Sequence, residues 1–207
     1  MVGIICTIGP SSFRKVKALR KAGMSVARLN FAYAKPWQLG LLKGIPIMAD
    51  VRKVSHLKGI PKKYDYAAIS FTDNAAQIAE ARKLTKAKIV SKVESRKGMR
   101  NLKEIVRASD IVMIARGDLA DAIGLENIGK AQERIAKECR RQKKPFILAT
   151  GVLESMKKEK KPSRAEACDV SHAVRGGASY ILLSDETAVG KYPVESTKWL
   201  KRLVKAA

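Results

Sequence analysis

Short apolar runs alternate with amphipathic, lysine- and arginine-rich segments along the whole chain. A short continuous apolar run bounded by polar or glycine positions reads as a strand buried on both faces, the pattern of a parallel sheet. On that basis strands are predicted over Ile4–Ile8, Ser25–Asn30, Pro46–Asp50, Tyr66–Phe71, Lys88–Val93, Asp110–Arg116, Pro145–Thr150 and Tyr180–Ser184. Helical periodicity between them predicts helices over Phe13–Ala22, Trp37–Lys43, Asn74–Leu84, Lys97–Ala108, Glu126–Gln142, Ser163–Arg175 and Pro193–Lys205. Gly23, Gly44 and the pair Gly176–Gly177 stand where helix C-caps belong, and Asp73–Asn74 and Ser163 where N-caps belong.

Strands alternating with helices make an α/β protein, with an open doubly wound sheet or a closed barrel as the two main solutions. An open sheet gathers its functional groups at one switch point, whereas a barrel gathers them at the C-terminal ends of many strands. Polar residues here close six of the apolar runs: Arg28 and Asn30, Asp50, Lys92 and Glu94, Arg116 and Asp118, Thr150, and Ser184 with Glu186. That distribution predicts a minimal TIM (β/α)8 barrel, a single domain over residues 1–207, with one pocket assembled from the whole chain. Such barrels usually take about 250 residues, so this one must have short helices and minimal loops. The third connection, Val51–Asp65, holds Gly59, Pro61 and four lysines and leaves little room for a helix.

Lys92 and Glu94 are two apart on a predicted strand, so their side chains share a face. A Lys–Glu pair alone in such a place is commonly a neutralised ion pair. Asp118, arriving from the next strand end, changes the chemistry: two carboxylates with one lysine form a hard-oxygen site for Mg²⁺ or Mn²⁺. A short helix starting near Arg116-Gly117-Asp118 would also turn its free N–H groups toward a carboxylate or phosphate.

Charge adds a second theme. Forty-two Lys and Arg against nineteen Asp and Glu give a net charge of +23, spread over every predicted helix. Such a field attracts polyanions, nucleic acid included, or is simply a solvated basic surface. Aromatic content is 5%, with no visible stacking platform for bases. Cys6, Cys139 and Cys168 form no CxxC pair and no cluster with His56 or His172, which argues against zinc and for reduced thiols. The apolar start VGIICTI is too short to span a membrane and lacks the features of a secretory signal, so a cytoplasmic protein without membrane partners is expected. No GxGxxG follows a strand, and VGKYP lacks the spacing of a P-loop.

The segments TIGPSS, VARLNF, IVSKVES, DIVMIARGDLA, LATGVLESM, KKPSRAEACDVSHAV and LLSDETAVGKYPVE resemble, in order, the motifs of the pyruvate kinase barrel domain. The resemblance implies that Glu94 and Asp118 ligate a divalent metal, and that Lys92 stabilises the phosphoryl in flight and the enolate left behind. It also implies that Arg28 clamps the phosphoryl group and that Thr150 holds the carboxylate near the proton route to the methylene carbon. Backbone groups of Gly117 and Asp118 would receive the substrate carboxylate, with Ser184 and Glu186 close behind. Asn30 and Asp50 would belong to a monovalent-cation site, and Pro10, Asn30 and Tyr33 to the nucleotide site.

The departures from the family pattern shape the expectation. The resembled proteins carry a lid domain after the third strand, whereas Asp50–Lys53 here runs directly into VSHLKG; the regulatory domain that follows the family's barrel is likewise not seen. Ala32 and Val51 stand where the family has a serine and a threonine, which weakens the case for K⁺, and Tyr33 replaces a histidine. Three functions follow: a reduced phosphotransferase acting on phosphoenolpyruvate or pyruvate, with ADP or ATP held weakly; metal-dependent pyruvate enolisation or oxaloacetate decarboxylation without nucleotide; and a basic, non-catalytic RNA- or ribosome-associated barrel. Lys92, Glu94, Asp118, Arg28 and Thr150 together favour the enzymes, because a purely structural barrel needs none of them.

Overall fold

A computed structural model describes residues 2–207. Eight parallel strands close on themselves in sequence order. They are β1 (Gly3–Thr7), β2 (Val26–Asn30), β3 (Ile47–Val51), β4 (Tyr66–Ile69), β5 (Lys88–Val93), β6 (Ile111–Ala115), β7 (Phe146–Ala149) and β8 (Tyr180–Leu183). Closure is made by β1 against β8, with Ile5 opposite Leu182. The helices are α1 (Val16–Ala22), α2 (Ala75–Leu84), α3 (Arg96–Arg100), α4 (Leu102–Ala108), α5 (Arg116–Ile123), α6 (Ile128–Arg141), α7 (Arg164–Arg175), α8 (Asp185–Ala188) and α9 (Pro193–Ala206). The architecture is the single (β/α)8 barrel that the strand pattern predicts.

Two apolar clusters divide the core. One, between strands and helices, contains Cys6, Leu29, Ile89, Ile114 and Leu148; the other fills the barrel with Ile5, Val26, Met48, Ala68, Val90, Met113, Ile147 and Leu182. The division fixes parity. Side chains alternate along a strand, so once Val26 points inward, Arg28 and Asn30 do too. The same counting from Ile5 brings Thr7 inward, from Met48 Asp50, from Ala68 Ser70, and from Val90 Lys92. Apolar side chains therefore pack the lower barrel and polar ones its C-terminal mouth.

The opposite rim is tied by side chains that satisfy the first N–H groups of neighbouring strands. Ser25 Oγ accepts from Ile4, Asp65 from Ile47 and Asp110 from Ile89, at 3.0, 2.8 and 2.8 Å. No helix among the described residues is long and apolar enough to cross a membrane.

The structure departs from the sequence-based elements in definite places. The segment expected as a helix over Trp37–Lys43 is a 3-10 stretch, Pro36–Leu42, and only a second one, Val54–Gly59, lies between β3 and β4. The run Lys97–Ala108 is two helices, broken at Asn101, whose side-chain amide donates to the Asp73 carbonyl at 2.8 Å. The helix expected from Glu126 begins at Ile128 after a 3-10 turn over Leu125–Asn127. Arg116 closes no strand: β6 ends at Ala115 and Arg116 opens α5.

Candidate active site

The mouth of the barrel encloses a cavity of about 280 Å³. Arg28, Asn30, Tyr33, Asp50, Lys92, Glu94, Asp118, Thr150 and Ser184 all line it, so nine of the expected site residues share one space.

Asp50 is the hub. Its carboxylate is 2% exposed and accepts from Arg28 Nε at 2.9 Å, with Arg28 Nη2 also at 2.9 Å. Lys92 Nζ lies 3.4 Å from the same group. Burial alone would raise the Asp50 pKa, but the charges and hydrogen bonds of Arg28 and Lys92 outweigh it and hold the carboxyl below its ordinary value of 3.8. Arg28 Nη1 also donates to Thr7 Oγ1 at 2.9 Å, so the guanidinium is braced by two neighbouring strands.

Lys92 is buried and divides its three protons among three acceptors. Ser70 Oγ is 2.8 Å from Nζ, Glu94 Oε1 is 3.1 Å away, and Asp50 is the most distant. Glu94 Oε2 accepts from the Phe71 N–H at 2.7 Å. Burial raises the Glu94 pKa above its ordinary 4.5, and Lys92 and the Phe71 amide offset this only in part.

Asp118 lies in the first turn of α5, exposed, with no hydrogen-bond or ion-pair partner among the described residues. A free carboxylate and a buried one thus face the same cavity from adjacent strand ends. No cluster of three or more His, Cys, Asp or Glu able to hold a metal occurs among the described residues. Two protein carboxylates that leave the remaining positions to water and substrate oxygens suit Mg²⁺ or Mn²⁺, and such a donor set fits them better than it fits zinc.

Thr150 carries the clearest backbone strain. Its φ is 74° and that of Gly151 is 65°, two left-handed residues in succession immediately after β7. For a β-branched residue this conformation is a true outlier, costing on the order of 1–3 kcal/mol unless its surroundings hold it. A Cβ on Gly117 would lie 3.1 Å from Thr150 Cγ2, so a larger second residue of α5 would press Thr150 back by a few tenths of an ångström.

Other expected positions land differently. Glu186 does not line the cavity. It is fully buried, accepting from the Leu153 N–H at 2.9 Å and the Ser184 N–H at 2.7 Å, and so ties two loops together. Gly117 borders the cavity through Thr150 without lining it. Pro10 is exposed and lies outside the cavity, while Tyr33 stands on its rim, 84% exposed. The oxygens expected to hold a monovalent cation already have protein partners. Those of Asp50 face Arg28, Lys92 and Ser70, and Asn30 Oδ1 accepts from the Ala32 N–H at 3.1 Å.

Ser70 and Thr7, which brace Lys92 and Arg28, were absent from the sequence-based site. Both carried a signal, inward parity on a strand that ends at the mouth, but a lone hydroxyl after an apolar run is too common to stand out.

Residues 43–197 match the family model described as the pyruvate kinase barrel domain. The chain is 46% identical over 147 residues to a pyruvate kinase of Encephalitozoon cuniculi, covering 70% of this chain and 34% of that protein. It is 36% identical over 170 residues to a pyruvate kinase of Geobacillus stearothermophilus, covering 79% of this chain and 29% of that one. For a pyruvate kinase of Methanocaldococcus jannaschii the identity is 36% over 169 residues, covering 79% and 38%. The chain therefore spans about a third of the length of the curated relatives it matches.

Proposed function

This chain belongs to the pyruvate kinase family, and on that premise we propose that its barrel transfers a phosphoryl group between phosphoenolpyruvate and ADP with Mg²⁺ or Mn²⁺. The observation that carries the reading is the shared cavity: two buried cations buttressed by Asp50, beside two carboxylates from adjacent strand ends.

Arg28 and Lys92 present fixed positive charge where a phosphoryl group would pass. Their Asp50 anchor means that little reorganisation is needed when substrate arrives. Lys92 has its weakest partner in Asp50, at 3.4 Å, so that proton is the easiest to redirect to an anionic oxygen. In the first turn of α5 the N–H of Asp118, the residue there that lines the cavity, suits the substrate carboxylate, with Gly117 bordering it. The Thr150 hydroxyl, on a residue that lines the cavity, would pass a proton to or from the methylene carbon. Glu94 and Asp118 would hold the divalent ion, which when bound draws electron density from substrate oxygens. The +23 charge raises the local concentration of anionic substrates.

Only one 3-10 stretch, Val54–Gly59, stands between β3 and β4, so nothing long folds over the mouth from that connection. A charge pair about 4 Å apart loses roughly 3 kcal/mol on passing from an effective dielectric of ~20 to bulk water, on the order of a hundredfold in rate. Slow turnover is the expectation. The rim gives a second reading its support. Pro10 lies outside the cavity and Tyr33 is almost fully exposed, so the oxo-acid end of the site is better formed than the nucleotide end. That pattern suits proton exchange on pyruvate or decarboxylation of oxaloacetate without a nucleotide.

A coupled assay with phosphoenolpyruvate, ADP and Mg²⁺ separates the two. Metal-dependent pyruvate release is expected, and it should vanish on chelation. Proton exchange on pyruvate without transfer would replace the first reading by the second; neither activity would reject both.

A further inference from the structure

Arg116 looks in sequence like one more charge for the pocket, yet it does not line the cavity. Its guanidinium turns sideways along the barrel mouth. Nε donates to the Thr150 carbonyl at 3.0 Å and Nη2 to the Gly151 carbonyl at 3.1 Å. Nη1 is chelated by both oxygens of Asp169 on α7, at 2.9 and 2.7 Å, with Gln132 of α6 at 3.4 Å. One planar group thus spans both carbonyls of the strained left-handed pair and is anchored from outside the barrel wall.

We propose that Arg116, held by Asp169, is a positioning residue that keeps Thr150 in its left-handed conformation, so that α7 sets where the Thr150 hydroxyl reaches into the cavity. Two consecutive left-handed residues, the first β-branched, do not persist at a strand end unless their surroundings hold them. The described contacts that hold them are the Arg116 fork on the carbonyl side and the close fit of Thr150 against Gly117 on the other. The fork has a chemical requirement. A lysine keeps the charge but cannot bridge two carbonyls while chelating a carboxylate, because its ammonium is a point charge. Asp169 touches nothing in the cavity, so any effect it has on the reaction must travel through Arg116.

The catalytic consequence rests on the function proposed above; the structural one does not, and one set of variants tests both. Asp169→Ala and Arg116→Lys should each lower kcat for transfer or proton exchange by about a hundredfold, the usual order for a group displaced by about 1 Å. The half-saturating Mn²⁺ should stay within about threefold, because Glu94 and Asp118 are untouched, and the KM for phosphoenolpyruvate should change less than kcat. In a Thr150→Ala background, Asp169→Ala should cost less than about threefold more, since both act at one place. Hydrogen–deuterium exchange over residues 149–153 should rise at least ~10-fold in Asp169→Ala, whether or not the protein is active. Full additivity with Thr150→Ala, or parental kcat in Asp169→Ala, would overturn the catalytic part. Unchanged protection of residues 149–153 would overturn the positioning itself. An inactive parent whose protection is lost in Asp169→Ala would reject the proposed function and leave the positioning standing.

Discussion

Lys92→Met is expected to lower both phosphoryl transfer and pyruvate proton exchange by at least about 10²–10³-fold, the range for removing one preorganised electrostatic donor. Methionine keeps much of the side chain's length and apolar stem while deleting the ammonium. The loss should exceed that of an exposed lysine because Lys92 is buried and its charge acts in a low-dielectric space. Asp50 keeps Arg28 after the substitution, so the barrel should stay folded. Glu94 loses its ion pair with Lys92 but keeps the Phe71 N–H. Rates measured beside a circular-dichroism melt separate chemistry from unfolding. A folded Lys92→Met variant with a rate within a few-fold of the parent would remove Lys92 from the mechanism.

Asp50→Ala should be the most destabilising change at the mouth. It leaves Arg28 and Lys92 buried without their shared counter-charge, and breaking a buried ion pair from one side costs about 3–5 kcal/mol. For a chain of this size each kcal/mol shifts Tm by about 2–4 °C, so a fall on the order of 10 °C is expected. Asp50→Asn keeps the shape and some acceptor capacity and should cost less. The effect depends on pH with a definite sign. The Asp50 pKa is held below its ordinary value of 3.8 in the folded protein. Its contribution is therefore present above that value and is lost as pH falls through the folded one. The gap between Asp50→Ala and the parent should narrow in acid. A gap that widened there, or a Tm change of less than about 2 °C at neutral pH, would show that Asp50 is not the anchor of the two cations.

Much of this was legible in the sequence because a closed parallel sheet forces its strands to be apolar on both faces. Runs such as KIVSKV and IVMIA could only be strands of that kind, and the charged residues at their ends had to emerge together at one mouth. That Asp50 joins Arg28, Lys92 and Ser70 was not legible, because sequence shows neither distance nor which charge faces which. Arg116 was misplaced for a local reason: alternation holds only while the strand lasts, and β6 gives way to α5 at that residue. Glu186 illustrates the other blind spot. A carboxylate near a strand end looks like a ligand, yet here two backbone N–H groups occupy it and it is fully buried. The break at Asn101 was hidden because the apolar period runs through it while a side-chain amide bond to the Asp73 carbonyl decides the geometry.

The joint action of Glu94 and Asp118 on a divalent ion is open to direct measurement by electron paramagnetic resonance, titrating Mn²⁺ into the protein and its Glu94→Gln and Asp118→Asn variants. One site is expected in the parent, weakened at least ~10-fold by either substitution. Mn²⁺ binding equally well to the parent and both variants would contradict it.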